Sequence, residues 1–225
     1  MNRKIVEQNQ LFAGISGEEI DRMLTCSKSK FKQYNKGVTI FKQEEKPQNL
    51  FVLLKGRVAI VKHLASGRKY ILYEVEENSV FGEHYFFGKN EKYFYDAETC
   101  TKVDMLEIPW EFFYCFCDEA CHHHKQIIKN MLEILSKKEF LALKKLNIVN
   151  STSLKERLCI WLAGEADKSN IVRLKMKREA LADFLGVARP SLSRTLMKLQ
   201  AEGLIEVHRK EIKIIDRKKL ELFCE

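Results

Sequence analysis

The chain has 225 residues, 45% of them hydrophobic, and its 39 lysines and arginines outnumber 31 aspartates and glutamates for a net charge of +8. This length supports a proper core and more naturally two domains than one, and the composition is that of a globular chain. No apolar run reaches the roughly 18 residues of a membrane span and the opening MNRKIVEQNQLFAGIS lacks the apolar core of a signal peptide, so a cytoplasmic protein with no membrane partner is expected.

Residues 31–108 are rich in short apolar or β-branched runs, VTIF, NLFVLLKGRVAIVKHL, RKYILYEV and KVDMLEI. They are punctuated by Asn35-Lys36-Gly37, Lys55-Gly56 and Ser66-Gly67. Such spacing predicts a compact antiparallel β roll or sandwich. After Pro109 the period becomes helical: Ile128, Leu132, Leu135, Ala142, Leu146 and Val149 form one stripe, interrupted by Glu139. A stripe sustained from about 122 to 148 carries more apolar surface than a lone helix can hide, which predicts a dimerisation helix. The plainer alternative is a helix packed on its own β domain. The stretch NIVNSTS, 147–153, reads as a hinge, with Thr152 or Ser153 capping the next helix.

Residues 154–225 read as a small helical domain ending in a β hairpin, LIEVHRKEIKII. Positive charge is denser here, with 16 basic and 11 acidic residues from 151 to 225, which favours a polyanionic partner. In LADFLGVARPSLSRTLMKLQAEGLIEV, Leu181, Phe184 and Leu185 give a short helix and Gly186-Val187-Ala188 a tight turn. A second helix then opens at Pro190, which has no N–H to lose in a first turn and pushes Arg189 out of the α region. With Arg189 at zero on a helical wheel, Leu192, Leu196 and Leu199 fall at about 300°, 340° and 280°. Arg194 and Lys198 fall near 140° and 180°, opposite that buried stripe and beside Ser191. This is helix-turn-helix spacing. Arg189, Pro190, Ser191, Ser193, Arg194 and Lys198 would face a DNA major groove, where guanidinium pairs with guanine. Lys177, Arg178 and Lys210 flank them and suit phosphates.

In order along the chain, YNKGVTIFKQEEKPQNLFVLLKGRVAIVKH, SVFGEHYFFG, LKERLCIWL and REALADFLGVARPSLSRTLMKLQAEGLIEV resemble the Crp–Fnr family of bacterial transcription regulators over roughly residues 10–216. The resemblance implies an α+β fold: an N-terminal jelly-roll-like antiparallel β roll that senses an effector (1–120), a long dimerisation helix and hinge (121–150), and a winged helix-turn-helix domain that binds DNA (151–225). It also implies a homodimer on roughly palindromic double-stranded DNA and contact with RNA polymerase. At Pro190 many members carry an acidic residue that contacts the operator, so a different DNA site is expected.

The family's cyclic-nucleotide pocket pairs Gly-Glu for the ribose with an Arg and a small residue for the cyclic phosphate. Gly82 and Glu83 match, but KNEKYFYDAET offers Lys89, Lys92, Tyr93, Phe94 and Tyr95 where the arginine should stand. Lysine is a point charge and lacks arginine's two-pronged grip. Cyclic AMP is therefore not expected, and the aromatics leave room for another small organic effector held by Gly82, Glu83, Lys92, Tyr93, Phe94 and Tyr95. The alternative for Glu83 is a residue of the fold, and for the aromatics a place in the core. Glu44 stands where the family usually has a turn glycine, which predicts a different turn geometry.

Seven cysteines in a reducing compartment are thiols, metal ligands or redox sensors before they are disulfides. CFCDEACHHHK brings Cys115, Cys117 and Cys121 beside His122, His123 and His124, ligand types for zinc, iron or copper and the basis of an alternative reading as a thiol- or metal-based redox sensor. On a helix these side chains fan apart, so buried cysteines and a solvated histidine run are the plainer reading, with no metal site and no cofactor assigned. An iron–sulfur cluster needs four cysteines, mostly near the N-terminus, where only Cys26 precedes residue 100. For heme, His63, His84 and Cys100 have the right ligand chemistry but no supporting spacing. No nucleophile, base and orienting group stand together, so the chain is not expected to be an enzyme.

Overall fold

The structure is a computed structural model and describes residues 3–85, 92–114, 122–174 and 176–223. It divides into two compact units, Met1–Ser136 and Lys137–Glu225.

The first unit opens with two short helices, α1 (Arg3–Glu7) and α2 (Gly17–Cys26). A capping box starts α2, in which Ser16 accepts from the Glu19 N–H while Glu19 reaches back to the Ser16 backbone. Eight strands follow: β1 (Lys30–Tyr34), β2 (Thr39–Phe41), β3 (Asn49–Lys55), β4 (Val58–His63), β5 (Lys69–Val75), β6 (Ser79–Phe81), β7 (Asp96–Thr99) and β8 (Val103–Pro109). They form two four-stranded sheets in the orders β1-β8-β3-β6 and β2-β7-β4-β5, every pairing antiparallel. Along β3 the side chains alternate between two interiors. Leu50 and Val52 join α2 and the first turns of the long helix, whereas Phe51 and Leu53 join an aromatic cluster with Phe41, Phe81, Tyr93 and Tyr95. A strand buried on both faces explains the unbroken apolar run NLFVLL.

The long helix is α3 (His122–Asn150). Its first half packs on its own β roll through Ile127, Met131 and Ile134, one position off the expected stripe. Asn130, also buried, donates to the carbonyls of Leu11 and Ala13 at 2.8 Å each. The expected stripe lies mostly outside that packing, with Leu132 60% and Leu146 51% exposed and Ile128 and Leu135 half-buried.

The second unit holds α4 (Leu154–Glu165), β9 (Ile171–Arg173), α5 (Arg178–Phe184), α6 (Arg189–Ala201), β10 (Ile205–Val207), β11 (Glu211–Ile214) and α7 (Arg217–Glu221). Ser153 caps α4 in a second capping box with Glu156, while the Thr152 hydroxyl bonds the same carboxylate at 2.9 Å. The predicted hairpin is present, and β9 adds a third strand in the order β10-β11-β9. Leu158, Leu162, Leu181, Leu192, Leu196 and Leu199 are the centre of its apolar core.

Three local expectations change. Glu44 takes φ +69°, the left-handed conformation that glycine adopts freely, so the turn is strained rather than rerouted. Hydrogen bonds from Glu44 N to Tyr93 O and from Tyr93 N to Glu45 O, both 2.9 Å, hold it there. His123 and His124 are buried, not solvated: the His124 ring stacks on Phe112 at 4.2 Å and its Nε2 lies 3.0 Å from the Phe112 carbonyl. The start of α3 lies against the roll, and an imidazole fills that space as an aromatic would. Arg189, finally, is the first residue of α6, and Ala188 is the extended one with ψ 141°. The Ser191 and Leu192 N–H groups both donate to Ala188 O, which outweighs the bias of a residue before proline.

Candidate nucleic-acid interface and effector pocket

In the second unit, α5 ends at Phe184 with Leu185 as its C-cap, and Gly186 turns the chain with φ +70°, donating to Asp183 O while Val187 N donates to Ala182 O. This is the αL ending that glycine permits. Arg157 of α4, a residue that helical patterning does not single out, donates to the carbonyls of Ser151 and Leu185 and so braces the turn from beneath. At the far end of α6, Gln200 Oε1 accepts from Val207 N at 2.8 Å and ties the helix to the hairpin.

With Leu192, Leu196 and Leu199 buried, α6 exposes Arg189, Pro190, Ser193, Arg194 and Lys198, and Ser191 is half-buried beside them. Arg194 Nη2 lies 3.5 Å from Ser191 Oγ, leaving its guanidinium essentially free to pair elsewhere. Arg189 rests against Glu179 at 2.9 Å, both well exposed, a contact of the weak surface kind. Lys177 precedes α5 and Lys210 lies between the hairpin strands, both exposed. Arg178 is less available: it is half-buried, its Nη1 has no hydrogen-bond partner among the described residues, and burial holds its pKa below the ordinary value. Arg209, exposed beside Lys210 at the hairpin turn, is a further cation that the helix-centred reading missed.

In the first unit, a pocket of about 400 Å³ is lined by Glu44, His84, Tyr85, Lys92, Tyr93, Phe94 and Tyr95. Four of these were legible as Lys92 to Tyr95, while Glu44, His84 and Tyr85 come from the fold. Strand-like alternation sends Tyr93 (2% exposed) and Tyr95 (6%) inward and leaves Lys92 and Phe94 outside. Tyr93 stacks on Phe41 at 3.7 Å and meets Tyr85 edge-on at 5.0 Å. Lys62 covers the Phe94 ring at 3.5 Å and donates to the Phe94 carbonyl. Lys92 pairs with Glu44 at 3.4 Å. Inside, Tyr93 Oη has no hydrogen-bond partner among the described residues, and Tyr95 Oη lacks one of good geometry although the Tyr73 hydroxyl approaches it. Burial drives both phenols far above their ordinary pKa and pushes Tyr73 up to about 12. Glu83 is fully buried behind this wall, its Oε1 3.1 Å from His84 Nε2, and Gly82 needs φ +83° with a Cβ there meeting the Phe51 ring at 3.0 Å.

Lys89, Cys115, Cys117, Cys121 and the His122 side chain lie outside the described residues. Cys26 is exposed, Cys100 half-buried and Cys159 buried. Among the described residues no helix is long and apolar enough to cross a membrane.

Comparison with known proteins agrees with both units. Residues 31–120 match the cyclic nucleotide-binding domain and residues 156–223 the Crp-like helix-turn-helix domain, together more than half of the chain. The global nitrogen regulator of Synechococcus elongatus is 26% identical over 82% of this chain and 85% of its own length. Among solved structures, a mutant of CooA from Carboxydothermus hydrogenoformans superposes with a TM-score of 0.66 at 18% identity, covering 97% of each chain. The c-di-GMP responsive global regulator CLP of Xanthomonas campestris gives 0.58 at 21%, over 89% of this chain and 100% of that one. With both domain matches in family order on the matching fold, the chain belongs to the Crp–Fnr family of DNA-binding transcriptional regulators.

Proposed function

We propose that the protein is a cytoplasmic, homodimeric, sequence-specific transcription regulator, and not an enzyme, whose DNA affinity is set by a small effector in the β roll. The observation that carries this reading is the split surface of α6: a fully buried leucine stripe on one side, Arg189, Ser193, Arg194 and Lys198 exposed on the other. In a dimer two such helices would read half-sites about one DNA turn, roughly 34 Å, apart. The exposed Leu132, Leu143 and Leu146 of α3 supply the apolar surface on which two copies would pair. RNA polymerase is the further partner expected of such a regulator.

The effector proposed is not cyclic AMP. Tyr93 and Tyr95 occupy the inner wall, and the one cation described on that stretch, Lys92, is already paired with Glu44. Unsatisfied buried phenols in an aromatic wall suit an aromatic or apolar molecule with a hydrogen-bonding group. The experiment is selection of DNA from a random pool, then anisotropy titration of the selected duplex and a scrambled one across salt, with and without small molecules co-purified under native mass spectrometry. Selective two-fold binding with a steep salt slope supports the reading. Equal binding to both duplexes overturns the regulator claim, and a Leu143→Glu chain that stays dimeric overturns the α3 interface.

A further inference from the structure

On the face of the second sheet opposite the buried Ile60 and Ala97, three potential metal ligands converge. Asp96 and Glu98 sit at i and i+2 of β7, opposite Val61 and Ala59 of β4, so both carboxylates leave the same side of the sheet. His63 closes β4 on that side. Its Nε2 lies 3.4 Å from Asp96 Oδ2 and 3.5 Å from Glu98 Oε1, and the three ligand atoms lie within 4.8 Å of one another. Bonds of about 2.1 Å in a tetrahedral site give edges of about 3.4 Å, so the two imidazole–carboxylate spacings match those of a metal's first coordination sphere.

Asp96 Oδ1 accepts from Gln43 N at 2.7 Å, an outer contact of the kind that orients a ligand, and Glu98 Oε2 is occupied by the Lys69 ammonium, so each carboxylate turns its other oxygen toward the imidazole. His63 is half exposed, which leaves water free to complete the shell. One nitrogen and two carboxylate oxygens suit a divalent first-row transition ion rather than a thiolate-loving one. We propose that His63, Asp96 and Glu98 form a divalent transition-metal site that pins the end of β4 to β7. Lys69 is its built-in competitor, an ammonium already seated on one of the ligands.

Titration with Mn2+, read by the electron paramagnetic resonance of the free ion, tests this without interference from cysteines, which bind that ion poorly. The expected result is saturable binding of one ion per chain, at least about tenfold weaker in both His63→Ala and Glu98→Gln. Removing the competing charge in Lys69→Ala should tighten binding by about threefold or more, whereas the loss of a merely structural ion pair would not. His63 and Lys69 are solvent-facing, and melting curves superposable on the parent's would establish that the variants fold. No saturable binding up to about 1 mM, or equal binding by parent and His63→Ala, overturns the site.

Discussion

The interior of the C-terminal unit is leucine, isoleucine and valine with Trp161 and Cys159, and its chemistry is all on the outside. The aromatic cluster between the sheets of the roll is the reverse, with Phe41, Phe51 and Phe81 packed against Tyr85, Tyr93 and Tyr95 and phenol oxygens closed in without full hydrogen bonding. A core built almost wholly of aliphatic side chains is a rigid platform for a surface helix. A core that carries unmet polar groups is costly when empty and is worth that cost where a ligand arrives to meet them.

The contrast is broken most severely from the leucine side. Leu192→Ala or Leu196→Ala should destabilise the C-terminal unit by about 2–5 kcal/mol, since both side chains are buried and leave a cavity under α6. Urea unfolding followed by Trp161 fluorescence reads it. On the exposed side of the same helix, Arg194→Ala should leave the melt unchanged and weaken the selected duplex by about 1–3 kcal/mol relative to a scrambled one, with Lys210→Ala weakening both alike. Equal losses for Arg194→Ala on the two duplexes would remove base reading from this face.

In the roll the sign reverses. Tyr93→Phe deletes a buried hydroxyl that bonds to nothing among the described residues and keeps the ring that stacks on Phe41. It should stabilise the roll by about 1 kcal/mol in denaturant melts while weakening its response to effector. A loss of stability would mean that the hydroxyl has a partner.

How much of this was legible in sequence follows the same division. The helix-turn-helix was readable down to its buried leucines because helical period, Gly186 and Pro190 are local signals. The strands of the roll were readable where apolar runs are long, as in β3 and β4. The short β6, β7 and β9 carry three or four residues each, too few to show a period. The two faces of α3 were confused because Ile127 and Ile128, like Met131 and Leu132, are adjacent apolar residues, and only contact with the roll decides which turns inward. Glu44 and the buried histidines were misread for a related reason: propensity speaks for the isolated residue, and the tertiary bonds at 44–45 and the stacking on Phe112 overrule it.

The smallest effect separates the units by pH. Glu156, Asp167 and Glu202 of the C-terminal unit are all held below the usual carboxylate range, by the Thr152 hydroxyl, the Ile171 N–H and Lys155 respectively as the leading causes. A carboxyl with a depressed folded pKa stabilises fully above its unfolded value near 4.3 and loses that contribution as pH falls through the folded value. In the roll, Tyr73, Tyr85, Tyr93 and Tyr95 are raised, chiefly by burial, so their contribution is intact below about pH 10 and disappears as pH climbs through the folded values, Tyr73's being about 12. Acid should therefore loosen the C-terminal unit first. Alkali should open the roll in step with tyrosinate absorbance, although Glu98 gives the roll some acid sensitivity of its own. Glu156→Gln sharpens the test, because it keeps an acceptor for Ser153 and Thr152 but removes the titration. Its Trp161-reported stability should be slightly lower than the parent's at pH 7 and flatter below about pH 5. A parent and variant with parallel acid limbs would show that this cap does not set the pH response of the unit.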